Sequence, residues 1–224
     1  MTAVGCRDFP ATNAHYEVSS PLDPAGTGHT LLCWVDYQNQ GANGYQGIDD
    51  NNLIMIQGSE FRVNVGGFTS QPPWSALNSG SWYFGGYRHD GATGGSTSEP
   101  HHMAVEENSG DKTLDDIGDT AIGQVTKTGA WWIGAAAAFG TNWPDKLAHS
   151  MFFSGAELLI DQVYELAFNP FQQLDWQDGD TVWHHPMMGQ ASNEPDWASN
   201  KSDGTLTGTG TPTATSDGPP IHHF

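Results

Sequence analysis

Six short apolar runs set the pattern of the chain. In EFRVNV, Phe61, Val63 and Val65 alternate with Glu60, Arg62 and Asn64, which is the period of a strand buried on one face. TLLCWVDY (Thr30 to Tyr37), NLIMIQ (Asn52 to Gln57), SWYFGGY (Ser81 to Tyr87), AWWIGA (Ala130 to Ala135) and AHSMFFS (Ala148 to Ser154) are β-rich runs of strand length. Trp34, Trp82, Trp131 and Trp132 fall inside them and are expected in the core. Turn dipeptides punctuate the chain at Asn43-Gly44, Gly66-Gly67, Asp90-Gly91, Asp178-Gly179, Asp203-Gly204 and Asp217-Gly218. Many short strands joined by glycine-rich turns predict an all-β sandwich or barrel.

GAELLIDQVYELAFNP, from Gly155 to Pro170, has a different period. Leu159, Ile160, Val163, Leu166 and Ala167 share one helical arc, while Glu157, Asp161 and Glu165 share another. The spacing predicts one short amphipathic surface helix near 156–168, ended by Pro170. Three carboxylates at intervals of four could suggest catalysis, but on a solvated face they keep ordinary acidities and make poor general acids. From Asp175 the chain turns polar, rich in Gly, Thr, Ser and Asp, with only isolated aromatics. Residues 1–174 are therefore expected to form the sandwich. Residues 175–224 are expected to form an extended arm with one or two strands (TVWHH, GTLTGT), packing on the core or on a neighbouring subunit.

Charge narrows the partners. Lys and Arg number 7 against 26 Asp and Glu, a net charge of −19, so no basic patch exists to hold a nucleic acid or an anionic membrane. No apolar run is long enough to cross a bilayer. The N-terminal stretch lacks the basic and apolar regions of an export signal, which predicts synthesis in a cytoplasm. Cys6 and Cys33 form no metal motif, and whether they pair is open. The pairs His101-His102, His184-His185 and His222-His223 cannot each chelate one metal, because neighbours on a strand point to opposite faces.

The order GHTLLCWVDY, LNSGSWYFGGYRHDG, AWWIGA and HSMFFSGAELLIDQVYELAFNPFQ resembles the laminin-G-like group of the concanavalin A-like lectin/glucanase fold, over about residues 14–173. The tail's SNKSDGTLTGT and GPP look like a segment found in structural proteins of tailed bacteriophages. The resemblance implies a jelly-roll β-sandwich of two antiparallel sheets. Enzymes of this fold class carry E-x-D-x-x-E on one strand. The nearest match here, EPDWAS, has Glu194 and Asp196 but Ser199 in place of the acid/base, so no hydrolase is expected. Lectin-like relatives often bind calcium in rim loops, and Asp49, Asp50 and Asp90 supply hard oxygens of that kind. Trp74 and Trp143 sit beside prolines in loops and are the candidates for stacking on a sugar ring.

The expected function is non-enzymatic: a capsid decoration, fibre or other surface component of a tailed-phage virion, made in the host cytoplasm. It would bind other copies of itself and virion proteins through the 175–224 arm. The alternative is a carbohydrate-binding lectin module of a secreted or cell-surface protein, and a laminarinase-type hydrolase stands third. Binding of a glycan abolished by Trp74→Ala or Trp143→Ala would separate recognition from scaffolding.

Overall fold

Every residue from His29 to Tyr37 is buried. A strand covered on both sides has no solvent face, which is why its centre, Leu31 to Val35, is apolar without interruption. The computed structural model describes residues 5–9, 14–22, 28–38, 43–49, 52–57, 60–65, 68–70, 79–89, 101–106, 114–119, 129–135, 146–155, 158–171, 181–187, 193–195, 197–198, 203–208, 211–216 and 218–219. Its first strands are β1 (Cys6–Asp8), β2 (His15–Leu22), β3 (His29–Tyr37), β4 (Asn43–Asp49), β5 (Asn52–Gln57), β6 (Glu60–Val65), β7 (Phe68–Ser70) and β8 (Ser81–His89). β9 (His101–Glu106), β10 (Leu114–Asp119), β11 (Gly129–Ile133) and β12 (Lys146–Ser154) follow. The helix α1 (Ile160–Phe168) precedes β13 (Thr181–His185), β14 (Asn193–Glu194), β15 (Gly204–Thr207) and β16 (Thr213–Thr215).

These strands build two antiparallel sheets. Sheet A runs β10-β9-β8-β3-β12-β1-β16, and β13 shares one edge of β12 with β1. β1 takes Lys146 and Leu147, and β13 takes Ser150 to Ser154. Sheet B runs β14-β15-β2-β11-β4-β5-β6-β7. The architecture is the all-β jelly-roll sandwich of two antiparallel sheets implied by the sequence.

Alternation along the strands divides the core in two. Leu31, Cys33, Val35 and Tyr37 of β3 meet Tyr16 and Val18 of β2 and Trp131 and Ile133 of β11 between the sheets. Leu32 and Trp34 point the other way and join Trp82, Phe84, Met151 and Phe153 beneath Val163, Leu166 and Ala167 of α1. Sheet A is therefore the middle of three layers. The Trp34 indole N–H donates to the Ala167 carbonyl at 3.1 Å, tying the helix to the sheet. Cys6 faces the helix side and Cys33 the inter-sheet side, and neither forms a disulfide. Burial pushes the Cys33 thiol well above its ordinary value.

The helix begins at Ile160, later than the 156 expected. Leu158 is held in extended chain instead: its N–H donates to the Thr30 hydroxyl at 3.1 Å, and its carbonyl accepts from the Arg88 guanidinium. The Leu159 N–H then donates to the Gln162 side chain at 2.7 Å, closing the first turn. Two glycines mark close approaches. At Gly134, φ is +91° and a Cβ would enter the Phe9 ring; at Gly86 a Cβ would strike the Leu31 carbonyl of the neighbouring strand.

Strands from the polar C-terminal segment lie in both sheets. β13 pairs with β12, β15 with β2, and β16 with β1. Trp183 and Met187 enter the inter-sheet core. Between the sheets Arg7 of β1 reaches Glu194 of β14, its Nε and Nη2 donating to one carboxylate oxygen at 3.2 and 3.1 Å. Both side chains are fully buried.

Candidate functional site

The helix seals the outer face of sheet A, while no described helix or strand packs on the outer face of sheet B. That face is built by alternation. Because Trp131 points inward, its neighbour Trp132 must point outward, and it is half-buried there with the inter-sheet core behind it. The pairing places Glu17 opposite Trp132 on one side and Gly47 opposite it on the other. Thr205 stands opposite Glu17, and Thr207 opposite His15. A row Thr205, Glu17, Trp132, Gly47 thus crosses four strands, with Thr207 and His15 in the row beside it.

His15 stacks on Trp132 with ring centroids 4.6 Å apart and planes 25° from parallel. This contact fixes the indole and occupies one side of it. On the β4 side the register places Gly47, which has no side chain of its own and is buried. The result is a fixed, half-buried aromatic ring on the sheet face, with one carboxylate and two exposed threonine hydroxyls beside it. Such a set can stack on an apolar ring face and exchange hydrogen bonds with hydroxyl groups. It holds no pair of acids arranged for acid/base chemistry.

The expected site residues are not among those of this row. Trp74, Trp143, Asp50 and Asp90 lie outside the described residues. Asp49 ends β4 opposite Asn52, the first residue of β5, so GIDDNN spans a hairpin connection. Asp161 and Glu165 are exposed on α1, and Glu157 lies outside the described residues. Glu194, the first acid of EPDWAS, is spent on Arg7 in the interior rather than lining a cleft. Trp132, assigned to the core from its strand position, is the correction: the core takes Trp131 and leaves its neighbour on the surface. Among the described residues no group of three or more His, Cys, Asp or Glu side chains could hold a metal ion. No described helix is long and apolar enough to cross a membrane.

A second aromatic group lies beyond sheet A. Trp197 is 61% exposed and packs on Phe171 at 5.4 Å. Phe171 also meets His149 and His184, whose Nδ1 and Nε2 stand 3.1 Å apart. His149 has φ +48° at an irregularity where β12 slips its register against β3. Burial, reinforced by the neighbouring His185, brings His184 down from its ordinary 6.5 to about 3.

An acid sensitivity follows. The unfolded chain takes up the His184 proton near pH 6.5, whereas the folded chain refuses it until about pH 3. Stability from this group is therefore complete above pH 6.5 and lost as pH falls through that window. Urea midpoints are expected to drop between pH 7 and pH 5, with a shallower drop in His184→Gln. Equal slopes in the two proteins would count against the assignment.

No protein-family model and no curated protein sequence matches the chain. Solved structures do. A Bacteroides ovatus protein provisionally assigned as carbohydrate-binding superposes with a TM-score of 0.64 at 16% identity, over 99% of this chain and 62% of its own. The chain thus spans about three fifths of that protein. A heptameric SAP-like pentraxin of Limulus polyphemus gives 0.49 at 15% identity, over 73% and 82%. Domains LG4-5 of mouse laminin α1 give 0.46 at 11%, over 86% and 50%. The likeness to the Bacteroides ovatus structure is one of fold: a β-sandwich of two antiparallel sheets.

Proposed function

We propose that the chain is a carbohydrate-binding module that takes a glycan across the outer face of sheet B, with one sugar ring against the Trp132 indole. The observation that carries this reading is the indole of Trp132, half-buried on that face, held by His15 and neighboured by Glu17 across the strands. The carbohydrate-binding assignment of the Bacteroides ovatus structure supports the same reading, as does the hydroxyl and carboxylate rim. The phage-virion reading has less support. It was drawn from the likeness of the tail segment, and the expected docking of that arm on other subunits competes with its own pairing, since β13 to β16 are strands within the chain's own sheets.

The test is a glycan array probed with wild type and Trp132→Ala. Removing an aromatic anchor is expected to weaken the recognised glycan by about tenfold or more. Binding that survives in Trp132→Ala and fails in Trp74→Ala or Trp143→Ala would move the site to the loops. A chelator arm of the same experiment reads the calcium proposal for Asp49, Asp50 and Asp90: binding lost with chelator supports it, and binding unchanged removes it.

A further inference from the structure

We infer that the ligand of this face is a neutral polysaccharide, and that sulfated, uronate-bearing and sialylated chains are excluded. The inference rests on the glycan-binding reading above and narrows it by charge. The row that would receive the sugar contains one ionisable group, Glu17, which is an acid. Strands β2, β11, β15 and β4, which supply every residue of the row, contain no Lys or Arg. In all of sheet B the strands contain a single cation, Arg62 of β6. It lies three strands from β11, on the order of 14 Å away and beyond a Debye length of about 8 Å at physiological salt.

The cations described in sheet A are committed elsewhere. Arg7 is buried against Glu194, Arg88 is buried on the Leu158 carbonyl, and Lys146 stands 3.7 Å from Asp36. Lys112, Lys127 and Lys201 lie outside the described residues. Anionic glycans are held by placed cations, commonly bidentate arginine. Here an anionic chain would meet Glu17 at close range and a molecule of net charge −19 at long range. A neutral chain meets neither cost and keeps what the face offers: the Trp132 ring, two threonine hydroxyls and a carboxylate acceptor. The same polarity argues against a protein partner, because the centre of a protein interface is depleted in charge and rich in apolar contacts.

The experiment is affinity electrophoresis through gels containing either neutral polysaccharides (β-glucan, xylan, mannan, galactan) or anionic ones (alginate, carrageenan, chondroitin sulfate). Wild type, Trp132→Ala and Glu17→Lys are run beside a non-binding reference protein. Retardation is expected in at least one neutral gel, falling about tenfold in Trp132→Ala, with none in anionic gels. Glu17→Lys is expected to gain retardation in a sulfated gel at low salt and lose it at high salt. Thermal melts of each variant confirm that it is folded. Wild-type retardation in an anionic gel, weakened by salt, would overturn the neutral assignment and leave glycan binding standing. Retardation in no gel of either kind would overturn the glycan reading itself.

Discussion

Deletion of residues 175–224 is expected to leave a chain without a cooperative folded state. β12 would lose the five-residue pairing with β13, β2 would lose β15, and β1 would lose β16. The inter-sheet core would lose Trp183 and Met187. Emptying one large buried aromatic costs on the order of 3–5 kcal/mol, against a typical total stability of about 5–15 kcal/mol. Arg7 would also lose the buried Glu194 carboxylate. The check is urea unfolding of the truncated chain followed by circular dichroism and tryptophan emission. A sigmoidal transition like that of the full chain would show that the segment is dispensable, as its polar composition suggested.

Glu194→Ala is the single substitution expected to cost most. The Arg7–Glu194 pair joins sheet A to sheet B where neither group touches water. Breaking a buried pair from one side costs about 3–5 kcal/mol. Tyr16 shares the site: its ring lies 5.7 Å from the Arg7 guanidinium, and burial pushes its hydroxyl up to about 12. Gly204 leaves room for this arrangement, since a Cβ there would stand 3.1 Å from that of Tyr16. Replacing both charges at once, as Arg7→Met with Glu194→Leu, is expected to recover most of the loss, because the desolvation of two ions disappears together. Denaturant midpoints for the two single variants and the double variant decide the matter. A Glu194→Ala protein within about 1 kcal/mol of wild type would show the pair to be hydrated.

Much of the sandwich was legible in the residues. EFRVNV falls in β6 as its alternation predicted, and TLLCWVDY did not alternate because β3 is covered by sheet B and by α1. The helical period of IDQVYELAF was equally plain, and Val163, Leu166 and Ala167 are the residues it buries. Its start was misplaced because Leu158 and Leu159 fit the helical pattern, while Thr30, Arg88 and Gln162 hold that stretch extended. Of the C-terminal strands, TVWHH and GTLT were expected from the residues, while β14 and β16, two and three residues long, are too short to carry a pattern. Glu194 looked like part of a hydrolase motif because sequence spacing says nothing of Arg7, which is 187 residues away.

The candidate site was partly legible. Trp131 and Trp132 are adjacent, so they point to opposite faces of their strand. Which of those faces meets solvent depends on what covers the sheet, as the fully buried β3 shows. What no local pattern could supply is the identity of the neighbours across the strands. Glu17 and Gly47 come from β2 and β4, and only the register brings them beside Trp132.

The most direct measurement is amide hydrogen exchange of the full chain, with and without a saturating oligosaccharide cut from whichever polysaccharide retards it. If sheet B's outer face is the binding surface, protection rises in segments 15–17, 131–133 and 205–207 and is unchanged around Phe171 and Trp197. Protection confined to the Trp197 side, or to segments holding Trp74 or Trp143, would contradict the account.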